Sequence, residues 1–155
     1  MTSPHVAHFF DADTATLTYV VTDTISGHCA VVDPVLNLDY ASGSIGTHSA
    51  DQVIAYIKAK NLSLALILET HIHADHLSSA PYLQDQLGGH IAIGSHITTV
   101  QDTFGGIFDE DEGFRRDGSQ FDLMLSDGDT FHVGDLQGRA LHVPGHTPAC
   151  MAYQL

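Results

Sequence analysis

The apolar run Leu64-Ala65-Leu66-Ile67-Leu68 leads directly into Glu69-Thr70-His71-Ile72-His73-Ala74-Asp75-His76. A short unbroken apolar run reads as a strand buried on both faces, so the fold must pack structure on each side of the sheet that holds it. Residues i and i+2 point about 200 degrees apart on a helix but share a face of an extended segment. His71 and His73 therefore converge on one ion only if they sit at a strand end or in an extended turn, with Asp75 and His76 following where the chain curls away. Open α/β sheets carry their sites at such carboxyl ends. Neutral imidazoles suit zinc, iron and manganese, and a carboxylate beside them shifts the preference toward harder ions.

The rest of the chain is consistent with one α/β domain over residues 1–155, with 43% hydrophobic residues. Val6 to Phe10, Thr16 to Thr22 and His28 to Val32 read as an antiparallel meander ending at Asp33-Pro34, since proline cannot donate to a ladder. Asp33 is either a turn-former or a partner of the metal site. Asn37 to Ser49, rich in Gly and Ser, reads as a loop. Ser49-Ala50-Asp51 opens a helix in which Val53, Ile54, Ile57 and Leu62 recur at roughly helical spacing. Leu77 to Leu87 reads as a second helix stopped by Gly88-Gly89, His90 to Ile93 as a strand, and Ser95 to Phe104 as a third helix capped by Ser95. Phe104 to Phe121, with its acidic group Asp109-Glu110-Asp111-Glu112, reads as a long surface loop whose phenylalanines either tether it or make it a lid. Asp127-Gly128-Asp129 marks a turn between two β-like runs; Phe131 to Val133, Ala140 to Val143 and Ala149 to Leu155 read as strands. Between the last two lies Pro144-Gly145-His146-Thr147-Pro148, a rigid turn that offers another imidazole.

A net charge of -14 argues against nucleic acid and anionic membrane surfaces as partners. No apolar run approaches the roughly 20 residues that span a bilayer, and the start lacks the basic and hydrophobic regions of a leader, so the expected location is cytoplasmic. Cys29 and Cys150 are expected to be free thiols. Of the 12 histidines, His5, His8, His28, His48, His90, His96, His132 and His142 stand singly and read as surface or satisfied core residues. The candidate metal ligands are His71, His73 and His146, and the candidate catalytic residues are Asp75 and His76.

The pattern His71-x-His73-x-Asp75-His76, followed by Gly145-His146-Thr147, resembles the signature of the metallo-β-lactamase superfamily. Glu69 to Leu77 together with Gly145 to Cys150 resembles its persulfide dioxygenase branch, and the segment from Gly94 to Asp122 resembles bacterial members of that branch. The resemblance covers nearly the whole chain. It implies an αββα sandwich of two similar halves with the metal between them, and a mononuclear Fe(2+) that oxidises glutathione persulfide with O2 to sulfite and glutathione. It further implies that His71 and His146 bind the iron while His73, Asp75 and His76 shape the site or contact bound water and substrate. In the hydrolase branches, glyoxalase II among them, the first-motif residues hold Zn(2+) in a two-metal site, which gives a zinc-dependent thioester hydrolase as the alternative.

The family's third iron ligand is an aspartate in a Gly-Asp motif one strand beyond the Gly145-His146-Thr147 turn, a position that this sequence, ending at Leu155, does not reach. The chain is therefore expected to be an N-terminal portion whose second half is missing, and to be inactive or impaired alone. It would be a fragment, a half-domain completed by another chain, or a non-catalytic metal-binding protein. An open half-sandwich exposes a sheet face, so self-association or a completing chain is expected besides a small-molecule thiol or persulfide substrate.

Overall fold

The computed structural model describes residues 4–107 and 113–155. The expected meander is β1 (His5–Asp11), β2 (Thr16–Thr22) and β3 (His28–Val32), paired antiparallel in order. Where the sequence predicts a loop from Asn37 to Ser49, the chain forms β4 (Val35–Asp39) and β5 (Ser44–Gly46), an antiparallel pair. The polar composition misleads because Asn37 is buried and satisfied internally: its amide donates to Asp11 Oδ1 (3.0 Å) and Ser49 Oγ (2.9 Å) and accepts the Ser49 N–H (2.9 Å). Helix α1 (His48–Ala59) buries Ala50, Val53, Ile54 and Ile57, which recur at helical spacing.

The apolar run is β6 (Ser63–Leu68), parallel to β3. The expected helix from Leu77 starts late. Leu77–Ser78 is instead a short strand, β7, paired with β4, and α2 spans Ala80–Leu87, with Pro81 in its first turn and positive φ at Gly88 and Gly89 ending it. Strand β8 (His90–Gly94) lies parallel to β6, and α3 spans Ile97–Ile107. Ser95 does not cap α3 as expected: its N–H donates to Leu125 O (2.8 Å), which holds it on the sheet, and the helix begins two residues later. The first residues of the expected 104–121 loop are therefore helical, while Asp109 to Glu112 lie outside the described residues. Phe121 packs against two core clusters, which makes it a tether.

Four further strands follow: β9 (Leu123–Leu125), β10 (Thr130–Val133), β11 (Leu136–His142) and β12 (Met151–Gln154). β9 joins β8, whereas β10, β11 and β12 form a separate sheet, so the Asp127-Gly128-Asp129 turn carries the chain from one sheet to the other.

The six-stranded sheet runs β1-β2-β3-β6-β8-β9. On one face, Val20, Val31, Leu64 and Ile67 pack against α1 and α2. On the other, Ala30, Leu66, Leu68 and Ala92 pack against Phe131, Val133, Ala140 and Met151 of the second sheet. Helix layer, sheet and sheet thus stack as the sandwich expectation requires. Strand β6 supplies both cores. Ile67 and Leu68 are completely buried, and burial of such a side chain contributes roughly 1.5–3 kcal/mol. The strand that delivers the histidine motif is therefore anchored in both cores. Among the described residues, no helix is long and apolar enough to cross a membrane.

Candidate metal centre

Residues 69–76 leave the carboxyl end of β6 as irregular backbone, so the motif is not helical. The centroids of the His71 and His73 rings lie 4.2 Å apart, those of His73 and His76 4.0 Å, and those of His71 and His146 4.9 Å. All four imidazoles singled out in the sequence thus meet in one place. Asp75 joins them at the rim, with Oδ1 3.8 Å from His73 Nδ1 and Oδ2 3.4 Å from His76 Nδ1. Donor atoms of His71, His73 and Asp75 fall within 4.8 Å of one another.

His146 arrives from the other sheet. Its turn is held by Thr147 N–H donating to Cys150 Sγ (3.2 Å) and by an imidazole N–H of His142 donating to Pro148 O (2.8 Å). Directly after the turn, Met151 N–H donates to Thr70 O (2.9 Å), and Tyr153 OH donates to Glu69 O (2.8 Å). Strand β12 is thereby bonded to the same two residues that introduce the histidine motif, which brings His146 to His71. Cys29 is buried and free, its thiol pushed up to about 12 by burial; Cys150 is also free.

The orientation of the rings is set from behind by Asp33, at the end of β3 with φ 48°. Its Oδ1 accepts the Thr70 N–H (2.7 Å) and its Oδ2 the Thr70 hydroxyl (2.8 Å). Having given its only proton to Asp33, the Thr70 hydroxyl can only accept from His71 Nδ1, 2.9 Å away. His71 is then the Nδ1–H tautomer, with its Nε2 lone pair turned to the site. That Nε2 is buried and has no hydrogen-bond partner, as is Nε2 of His76. Unpartnered buried nitrogens on adjoining imidazoles are costly to leave empty, and they suit a bound cation. The donor set therefore fits a metal ion.

His73 is held by the same carboxylate. Its Nε2–H donates to Asp33 Oδ1 (3.1 Å) and to Glu69 Oε2 (3.2 Å), while Nδ1 faces Asp75. Burial opposes a charge on His73, but the bonds to Asp33 and Glu69 outweigh it and raise its pKa to about 9. Burial raises and the bonds from His73 and Thr70 lower the pKa of Asp33, which ends below the usual carboxylate value. His71 is pushed below the ordinary imidazole value by burial and then by the neighbouring His73 charge. Asp75 is pulled up by burial but ends lowered by hydrogen bonds from its own backbone and from His76.

Asp33 thus proves to be a partner of the site as well as a turn residue. Three residues that sequence reading did not single out for a role stand behind the rings. Thr70 and Glu69 are described above, and Ser78 donates a hydroxyl bond to Glu69 Oε1. Their only signal in the sequence is proximity to the motif.

Comparison with known proteins gives a match to the metallo-beta-lactamase superfamily over residues 12–154. A probable metallo-hydrolase of Burkholderia pseudomallei is 54% identical over 148 residues, which cover 96% of this chain and 50% of that protein. Glyoxylase B2 of Dictyostelium discoideum is 43% identical over 95% of this chain and 51% of its own length. The human mitochondrial persulfide dioxygenase ETHE1 is 27% identical over 94% of this chain and 46% of its own. The crystal structure of ETHE1 from Myxococcus xanthus superposes with a TM-score of 0.72 at 22% identity, covering 97% of this chain and 53% of that one. The chain spans about half the length of these proteins.

Proposed function

This chain belongs to the metallo-β-lactamase superfamily, and from that premise we propose that its histidine cluster is the first half of an iron centre that oxidises a glutathione-type persulfide with O2. The observation that carries the metal reading is the unpartnered, buried Nε2 of His71, aimed by Thr70 and Asp33 into a site shared with His73 and His146. Likeness to persulfide dioxygenases supports the reaction. Bound iron would supply open positions for O2 and a sulfur ligand. In the overall reaction the outer persulfide sulfur gives up four electrons to O2 and, with one water, leaves as sulfite while the thiol is released.

The protein's own residues then have separate tasks. His71 through Nε2, His73 through Nδ1 and His146 would hold the ion. Asp33 accepts from His73 Nε2–H and from Thr70, so both rings keep one orientation. Asp75, ionised at the rim, accepts a proton from bound thiol or water, and His76 orients it.

A zinc hydrolase is the second reading, favoured by the unpartnered Nε2 of His76 beside Asp75, which together suit a second ion, and by likeness to Glyoxylase B2. Metal analysis with an oxygen electrode, on this chain alone and together with a completing chain, separates the two. About one iron per site and oxygen uptake with sulfite formation support the dioxygenase. Two zinc ions with thioester hydrolysis and no oxygen uptake overturn it.

The partner proposal rests on β1 and β2. Ala7 and Phe9 face the helices, so Val6, His8 and Phe10, with Leu17 and Tyr19 across the ladder, lie on the face that the second sheet leaves uncovered. Phe10 is 63% exposed and Val6 51%. A second copy or a completing chain would bury this face; a stable monomer in light scattering at high concentration contradicts self-association.

A further inference from the structure

Beside the histidines the surface opens into two joined cavities. The first, of about 290 Å3, is lined by His71, Ile72, His73, His76 and Phe121 among others. The second, of about 300 Å3, lies under α3 and is walled by Ile72, Ile97, Val100, Phe104, Phe114 and Phe121. Ile72, Gln120 and Phe121 line both, so the second cavity continues from the first. Ile72 stands between His71 and His73, so the entrance lies against the metal ligands themselves.

The second cavity is apolar where this surface is otherwise acidic. Ile72, Phe104 and Phe114 are 44%, 49% and 40% exposed around it. Large apolar side chains gathered at a concave site beside a metal centre are the usual walls of a small-molecule pocket. One cation stands at its edge. Gly105 lines the cavity, and a methyl group there would collide with the Arg116 guanidinium. Arg115 is paired with Asp117 at 2.6 Å, whereas Arg116 has no carboxylate partner among the described residues. In a chain of net charge -14, a guanidinium beside an apolar pocket favours an anionic group on the ligand.

We propose that the second cavity receives the arm of the metal centre's substrate: an apolar acyl or aryl chain ending in a carboxylate at Arg116. The substrate class is then a sulfur compound, persulfide or thioester, whose reacting sulfur lies at the histidines and whose apolar arm passes Ile72. This rests on the metal-centre reading above and deepens it: it applies to a thioester, or to a persulfide whose carrier thiol bears an apolar arm in place of glutathione's peptide.

Direct binding tests the pocket without the reaction. Octanoate, butyrate and octanol are titrated calorimetrically into the purified chain, with and without zinc. Octanoate is expected to bind at least about tenfold more tightly than butyrate, since each buried methylene adds to affinity. Phe114→Ala, an exposed truncation, should weaken octanoate about fivefold or more, and Val100→Trp should block the cavity. Arg116→Gln should weaken octanoate but leave octanol unchanged. Equal affinities for octanoate and butyrate, or unaltered octanoate binding in Phe114→Ala, would overturn the proposal. Absence of oxygen uptake, by contrast, bears on the dioxygenase reading and leaves this binding result standing.

Discussion

Strand β3 is entered through a turn that holds a buried aspartate, Asp23, directly after β2, and is followed at once by a half-buried one, Asp33; the two are put to different use. At its start, Asp23 accepts from Ile25 N–H (3.0 Å), the Ser26 hydroxyl (2.5 Å) and, across to the second sheet, Asp135 N–H (2.8 Å). Every partner is part of a turn, and the cluster closes on itself. At its finish, Asp33 is bonded as fully, but to Thr70 and His73, whose neighbouring imidazoles end in nitrogens with no partner. The first end joins the two sheets. The second leaves buried imidazole nitrogens open to the proposed metal ion. A carboxylate at a strand end therefore marks function only when the groups it orients are left unsatisfied on their far side.

Substitutions at the two ends should separate these roles. The largest effect is expected from His71→Ala, which should lower metal affinity more than about 100-fold while leaving the thermal midpoint of the metal-free chain nearly unchanged; calorimetric titration with zinc and a melting curve measure both. Asp33→Asn should weaken metal binding by about 10- to 100-fold, because it disturbs the orientation of two rings at once. At the other end, Gly134→Ala should cost about 2 kcal/mol of stability in urea unfolding without altering the affinity of the folded fraction for zinc. Gly134 has φ 62°, and a Cβ there would collide with the Ser26 hydroxyl and come within 2.7 Å of Asp23 Oδ2.

Smaller effects sharpen the contrast. His76→Leu should change metal-free stability by less than about 1 kcal/mol, since a buried nitrogen without a partner is removed with the ring; an equally small change at Asp23→Leu would break the comparison. Asp23 also gives a pH signature. Hydrogen bonds, the Ser26 hydroxyl first, lower its pKa from 3.8 to about 2. A depressed folded value means that its stabilisation is present above about pH 4 and is lost as the pH falls toward 2. Acid unfolding should therefore be less steep in Asp23→Asn than in the parent chain over that interval.

The fold was legible wherever burial and periodicity agreed. The first three strands, β6 and the helical face of α1 follow from β-branched runs, an unbroken apolar stretch and helical spacing. It was illegible where polar residues are satisfied inside the protein, as Asn37 is, or where a two-residue strand such as Leu77–Ser78 exists only because β4 lies beside it. The site divides the same way. His71, His73, Asp75 and His76 announce themselves by spacing, and His146 by a proline- and glycine-fixed turn. Glu69, Thr70 and Ser78 carry no spacing signal, because their role depends on the far-side partners that strand pairing brings to them.

The central claim is that the open end is a metal centre built from both sheets. Metal-free chain titrated with Fe(2+) under anaerobic conditions, and with Zn(2+), followed by X-ray absorption spectroscopy, tests it most directly. The account predicts saturable binding with imidazole nitrogens around the ion, reduced in His146→Ala as well as in His71→Ala. Binding no tighter than in a His71→Ala/His73→Ala/His146→Ala chain, or a coordination shell without imidazole, would contradict it.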